Sequence, residues 1–274
     1  MTQGYLTVNG ARLWYEEMGS GPAVTMVHAG VCDHRQWDDQ VPAFSPFYRV
    51  IRFDMRGFGQ SDIHPGAASM SDDIRGVLDA LGVERTALIG CSMGGSASID
   101  FAVTHPDRVS ALVTVGAGVS GAPEHENPPE QNALFEEAEA AQKAGNLTRL
   151  CEIETRIWCQ GFAREADQVK PAVRQRFLEM DTNDNRRYLA GEWKDVEFTP
   201  LDPPAYGRLG GLAVPALVVI GSGDEAATQA IADDIAGGIP GARKVVMPGL
   251  GHVPNMDEPE EFNRVVLEFL RAVW

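Results

Sequence analysis

Basic residues are scarce in this chain: 23 Lys and Arg face 39 Asp and Glu across 274 residues, leaving a net charge of −16 and a pI near 4.7. Counterion release from a phosphate backbone needs clustered Lys and Arg, so nucleic acid is excluded as a partner. Acidic substrates meet a field of their own sign, and the excess itself reads as a solvated acidic surface. No run of about 18 apolar residues is present to span a membrane. The opening MTQGYLTVNG lacks the basic end and apolar stretch of a signal peptide, so a soluble, cytoplasmic protein is expected. The four cysteines, Cys32, Cys91, Cys151 and Cys159, show neither CxxC spacing nor disulfide density, and they are expected as reduced thiols buried as small hydrophobes. No HExxH or paired Cys/His set occurs, so no metal and no cofactor are expected.

What is present is an alternation of short apolar runs with helical stretches. Tyr5 to Val8 and Arg12 to Glu17, around Asn9-Gly10, alternate and turn as a β-hairpin. The runs AVTMVHAG, YRVIRFDMRG, TALIGC and SALVTVGAG then alternate with helical segments. Of these Ser71 to Leu81 is the clearest, with Ile74, Val77, Leu78 and Leu81 on one face. This is a βαβ series building a mostly parallel, doubly wound α/β sheet. Strand signals stop after Gly118. A proline-rich entry leads into helical stretches at Gln131 to Ala144, Leu147 to Phe162 and Pro171 to Trp193, before strands return at Val214 to Ile220 and Arg243 to Met247 and a helix closes the chain at Pro259 to Val273. The expected organisation is a core of residues 1–118 and 210–274 interrupted by a helical cap at 119–209.

The segment TALIGCSMGG delivers a serine into Gly90-Cys91-Ser92-Met93-Gly94, a GxSxG pattern between a strand and a helix. A strand turning that sharply holds the serine in a strained conformation, which side-chain-free neighbours permit. The N–H groups of the following helix, Met93 to about Thr104, suit an oxyanion. A second glycine motif, Gly116-Ala117-Gly118-Val119-Ser120-Gly121, spells GxGxxG, but it runs into Ala122-Pro123-Glu124-His125 instead of opening a helix that would hold a pyrophosphate. These glycines read as a flexible exit into the cap.

A serine hydroxyl needs a base, and the base an orienting acid. On folds built around this elbow, acid and then histidine follow the nucleophile along the chain. His252, in Pro248-Gly249-Leu250-Gly251-His252-Val253-Pro254, is the only histidine beyond Ile220. Asp224 follows Gly221 at the end of a strand and is the candidate acid. Glu225 is its neighbouring alternative, while Asp233 and Asp234 read as solvated helix charges. An oxyanion hole is expected from the N–H of Met93 and from that of Gly30, with Val31 adjacent, in the loop His28-Ala29-Gly30-Val31. His28 reads as a brace for that loop.

With these parts the chain resembles the α/β-hydrolase superfamily over nearly its full length. The resemblance extends to Asp54-Met55-Arg56-Gly57-Phe58-Gly59-Gln60-Ser61, to His105-Pro106-Asp107-Arg108-Val109, and to Gly251-His252 before Glu258-Pro259. Within it the chain is most similar to small serine esterases and enol-lactonases, themselves similar to cofactor-free haloperoxidases and perhydrolases. Ala29 stands where many relatives have glycine, and the HGGPG loop of proline iminopeptidases is absent. Relatives with an aspartate nucleophile, haloalkane dehalogenases and epoxide hydrolases, differ at Ser92.

The resemblance implies hydrolysis of a small-molecule ester or lactone through an acyl-enzyme, without cofactor, by a monomer or homodimer. Trp158 and Val253 are the expected substrate-binding residues. Phe162, Met180, Trp193 and Tyr206 in the cap, and Trp37 and Phe58 beside the sheet-edge loops, are further lining candidates against a background of simple packing. Arg156, Arg186 and Arg187 are candidates to hold a substrate carboxylate. Two competing expectations share the same three residues: a perhydrolase, and a signal receptor that binds without turnover.

Overall fold

The computed structural model describes residues 1–273. Ten strands run in chain order: β1 (Thr2–Val8), β2 (Ala11–Met18), β3 (Ala23–Val27), β4 (Arg49–Phe53), β5 (Gly66–Ala68), β6 (Thr86–Cys91), β7 (Val109–Val115), β8 (Val196–Phe198), β9 (Ala216–Gly221) and β10 (Arg243–Met247). Eight form one sheet in the order β1-β2-β4-β3-β6-β7-β9-β10, antiparallel at β1-β2 and β2-β4 and parallel elsewhere. The leading hairpin turns on Asn9 and Gly10, both at positive φ, as a two-residue turn matched to strand twist requires. The order reverses between β3 and β6, so the loops leaving those two strands part and leave a crevice at the sheet's C-terminal edge.

The helices are α1 (Val41–Phe44), α2 (Met70–Ala80), α3 (Met93–Thr104), α4 (Pro129–Lys143), α5 (Leu147–Glu154), α6 (Pro171–Leu189), α7 (Ala226–Gly238), α8 (Pro254–Asp257) and α9 (Pro259–Val273). Alternation along each strand splits the interior into two cores, which is what a sheet covered on both faces requires. Leu88 of β6 joins Ile74, Val77 and Leu78 of α2 and Phe101 of α3. Ala87, Ile89 and Cys91 point the other way, to Phe44 of α1 and Phe262, Val266 and Phe269 of α9. The α/β-hydrolase fold expected from sequence is thus the fold observed.

Helices α4 to α6 lie between β7 and β9 in the chain, and three local features there differ from expectation. Helix α5 widens at Thr155–Gln160 into a π-helical turn and stops at Gly161, φ 77°. Helix α6 ends at Leu189, before Gly191 at φ 74° turns the chain. Strand β8 falls in a stretch without strand signal and pairs in parallel with β5, three residues each. Segments that short owe their form to tertiary pairing and not to their own sequence.

The contact of α5 with α6 is acidic. Asn185 donates to Glu154 and to Asp181 (3.1 Å), and Asp184 stands in the same cluster. Burial, and then the charge of Glu154, hold the Asp181 carboxyl far above the ordinary carboxylate range and push that of Asp184 up to about 7. The folded chain therefore keeps protons that the unfolded chain releases above about pH 4. Stability falls as pH rises from there through 7, so the melting temperature is higher at pH 5.5 than at pH 8.5, and Asp181→Asn flattens the difference. A melting temperature rising over that interval contradicts the arrangement.

Candidate active site

The loops at the sheet's C-terminal edge bring the sequence candidates together. Ser92 follows β6 and caps α3 with φ 51° and ψ −118°, one of two non-glycine residues at positive φ among those described. Such a conformation costs on the order of 1–3 kcal/mol and persists because its surroundings impose it. A Cβ on Gly90 would strike the carbonyl of Gly94, one on Gly94 would strike that of His28, and one on Gly95 would strike Ala117. The flanking glycines thus let α3 start flush against β6 and the loop after β3. Burial pushes the Cys91 thiol, next to Ser92, up to about 12, which keeps it protonated. All four cysteines are free and buried, as their spacing predicts.

Asp224 follows β9, and its Oδ2 accepts from His252 Nδ1 at 2.8 Å, while Oδ1 accepts from the Glu225 N–H at 2.9 Å. Both side chains are sealed, at 1% and 3% exposure. Glu225 is turned elsewhere, accepting from Asn127 and Thr228, and Asp233 pairs at the surface with Lys244. Burial, the largest influence on His252, disfavours its cation, but the charge of Asp224 and the hydrogen bond to it outweigh burial and leave the imidazole above its ordinary value. His252 Nε2 is buried without a hydrogen-bond partner, so no bond to Ser92 is made in this state. Such bonds are commonly long in unliganded sites.

Proximity of Ser92 to this pair follows from the strand ends. Ser92 N–H donates to Val115 O at 2.8 Å, and the next residue, Gly116, lies under the pair. A Cβ there would stand 3.0 Å from both Asp224 Oδ2 and His252 Nδ1. Cys91 Sγ contacts the His252 carbonyl at 3.7 Å. Gly116 is therefore a floor for the pair and not, as its GxGxxG setting suggests, a flexible exit.

The loop after β3 is braced from within. His28 Nδ1 donates to Ala29 O (2.7 Å) and Nε2 accepts from the Met55 N–H (2.9 Å), which fixes the tautomer and gives His28 the bracing role expected of it. Ala29 N–H donates to Gln36 Oε1, and Gln36 is bonded in turn to Asn255 of α8, just after His252. These two amides are fully buried, yet in sequence they look like surface residues. Neither Gly30 N–H nor Met93 N–H has a partner among the described residues. Asp33, His34 and Asp54 place ligand atoms within 4.8 Å of one another. However, Asp54 already accepts from His34 and the Gln60 N–H, and Asp33 is forked to Arg35, so the cluster acts as loop bracing.

The segment after α5 clamps the loops of Asp224 and His252 from above. Trp158 O accepts the His252 N–H at 3.2 Å and the Trp158 ring lies 4.7 Å from the imidazole. The Phe162 N–H donates to Gly223 O at 2.6 Å, and Arg164 pairs with buried Asp257. Of the other lining candidates, Val253 and Trp37 are 0% exposed within the core, and Met180 is also packed there. Phe58 and Trp193 meet edge to face at 5.3 Å, Phe162 lies under Arg156, and Tyr206 packs on the first core. Arg156 and Arg187 are spent on the carbonyls of Gly161 and Gly57. Of these residues, Trp158 places its ring against the imidazole, and the apolar others pack within the described residues.

The model of the alpha/beta hydrolase fold family matches residues 22–259, and the chain belongs to that family. It is a hydrolase. It is 31% identical to a 2-hydroxy-6-oxononadienedioate/2-hydroxy-6-oxononatrienedioate hydrolase of Burkholderia vietnamiensis, over 95% of this chain and 91% of that one. Among solved structures it is similar to an enol-lactonase of Burkholderia xenovorans (TM-score 0.78, 26% identity, 98% and 100% of the chains) and to a Thermogutta terrifontis esterase (0.76, 26%, 100% and 99%). No helix among the described residues is long and apolar enough to cross a membrane.

Two substitutions test the geometry. Gly116→Ala, at φ 50° and against the Asp224–His252 pair, lowers kcat about 100-fold or more while the far-ultraviolet circular dichroism stays native. Arg164→Met leaves Asp257 buried and unpaired and costs about 3–5 kcal/mol in urea unfolding, most of it recovered in Arg164→Met/Asp257→Leu. Full activity in the first, or native stability in the second, contradicts these roles.

Proposed function

We propose that the chain hydrolyses carboxylic esters or lactones, with Ser92 as nucleophile, His252 as base and Asp224 as the acid that orients it. The observation that carries this reading is the sealed Asp224–His252 hydrogen bond, whose far nitrogen is unpartnered beside a strained serine. Buried polar atoms without partners call for an explanation, and a proton acceptor awaiting a hydroxyl supplies one. Substrate entry brings Ser92 Oγ and Nε2 together. The hydroxyl proton passes to Nε2 as Oγ adds to the carbonyl carbon, and the free N–H groups of Met93 and Gly30 receive the oxyanion. Collapse of the tetrahedral species expels the alcohol oxygen, which takes the proton from the imidazolium. Water, deprotonated by the same nitrogen, then adds to the acyl-enzyme, and collapse returns the serine and releases the acid. These steps need no cofactor, and Trp158 is the contact nearest the imidazole from the cap.

One observation favours a second reading. The Burkholderia vietnamiensis relative is named for a dioate with a 6-oxo group and no ester link, so its hydrolysis cuts a carbon–carbon bond. The same serine and imidazole serve that chemistry. Against it for this chain stand the commitment of Arg156 and Arg187 to backbone carbonyls and the −16 charge, which leave a second carboxylate poorly received.

Ser92→Ala abolishes p-nitrophenyl butyrate turnover, and Asp224→Asn reduces kcat by about 10³- to 10⁴-fold by losing the tautomer. Because Asp224 holds His252 above its ordinary value, kcat/KM falls as pH drops through a point above 6.5. In Asp224→Asn that limb moves to lower pH, since the remaining large influence, burial, disfavours the cation. Turnover of a 2-hydroxy-6-oxo-dienedioate exceeding that of every ester and lactone tried decides for the second reading.

A further inference from the structure

Beside the elbow lies a cavity of about 600 Å³ that neither Ser92 nor His252 lines. That volume suits a small-molecule site. One face of α3 forms its floor: Met93, Ser96 and Asp100 recur at helical spacing. Its roof is the β5–β8 ribbon and the chain on either side, including Ala67, Phe198 and Leu201. This gives the ribbon, unforeseen in sequence, a reason to exist. Met93 stands between this cavity and the loop after β3. Its thioether folds over the loop after β3, with Cε 2.7 Å and Sδ 3.2 Å from where a Gly30 Cβ would stand, while the residue is 37% exposed and lines the cavity. The partition is thus an unbranched, flexible side chain directly after the nucleophile, one that clears a path by rotation. The wall mixes apolar groups and His105 with Asp72, Asp100 and Asp202; neither Lys nor Arg lines it, and Arg75 pairs with Asp72 from outside.

We propose that this cavity is the acyl-chain pocket of the Ser92 site, entered past Met93, and that it takes uncharged chains of medium length and refuses chains ending in a carboxylate. The inference rests on the serine-hydrolase reading. With its carbonyl oxygen held by the Met93 and Gly30 N–H groups, an acyl group on Ser92 must extend its chain elsewhere, and rotation of the Met93 side chain lets that chain run along α3. Apolar contacts on α3 and the ribbon then reward added methylenes, whereas a terminal carboxylate meets three acids, and the nearby cations are already engaged, Arg75 on Asp72 and Arg208 on the Val103 and Pro203 carbonyls.

The test compares kcat/KM for p-nitrophenyl octanoate with that for p-nitrophenyl acetate in the intact chain, in Ser96→Phe and in Ala67→Trp. Ser96 is half-buried and Ala67 exposed, so the second variant keeps the test open should the first fail to fold. The octanoate-to-acetate ratio falls about tenfold or more in each folded variant, because the added ring occupies the space of several methylenes. In the unmodified chain the p-nitrophenyl monoester of adipic acid is turned over about tenfold less well than the hexanoate. A ratio unchanged within about twofold in the variants, or equal turnover of adipate monoester and hexanoate, overturns the proposal. Acetate turnover surviving in Ser92→Ala instead overturns the nucleophile assignment, and so separates the two failures.

Discussion

One hydrogen bond, 2.8 Å between Asp224 and His252 and closed off from water, sets the terms for its surroundings. A buried carboxylate is costly unless its acceptors are used, and here the imidazole and the Glu225 N–H use both oxygens. An imidazole held this way presents its other nitrogen in a fixed direction, and that nitrogen is left without a partner. The strain at Ser92, the glycine at 116 and the braced loop after β3 all make sense as conditions for a hydroxyl to meet that nitrogen while N–H groups stand ready for a developing negative charge.

The pair is supported from two sides. Below, β6, β7 and β9 are sheet neighbours, and Gly116 at the end of β7 leaves the space that a side chain would take from the pair. Above, the π-helical turn at Thr155–Gln160 swings Trp158, Phe162 and Arg164 onto the loops that carry the base and the acid. The helical insertion therefore fixes the histidine as well as covering it. A movement of that insertion reaches the imidazole through one backbone hydrogen bond and one ring contact. The Gln36–Asn255 network ties the oxyanion loop to the same base loop. The proposed chemistry thus draws on three loops that are mechanically joined.

Much of this is legible in the amino-acid order. Period-two and period-3.6 patterns give the sheet and its helices because each central strand, β3, β4, β6, β7 and β9, serves two cores. The elbow is legible because Gly90 and Gly94 have no alternative at their backbone contacts, and Asp224 and His252 because strand-end positions in a fixed chain order leave few candidates. What stays hidden depends on distant partners. Three-residue β8 exists through β5, buried Gln36 and Asn255 look like surface amides, and the widened turn after α5 has no residue that announces it. Gly116 is misread as a flexible exit into the cap because only the fold shows what stands above it. Val253 and Met180 look like pocket residues from their positions, yet both face the core.

Covalent trapping tests the central claim most directly. An organophosphate that phosphorylates activated serines, followed by peptide mass mapping, marks the residue whose oxygen is activated and reports how strongly the histidine activates it. The account predicts a single adduct on the peptide carrying Ser92, formed at least about 10³-fold more slowly in His252→Ala. An adduct on any other residue, or labelling of Ser92 at an unchanged rate without the imidazole, contradicts it.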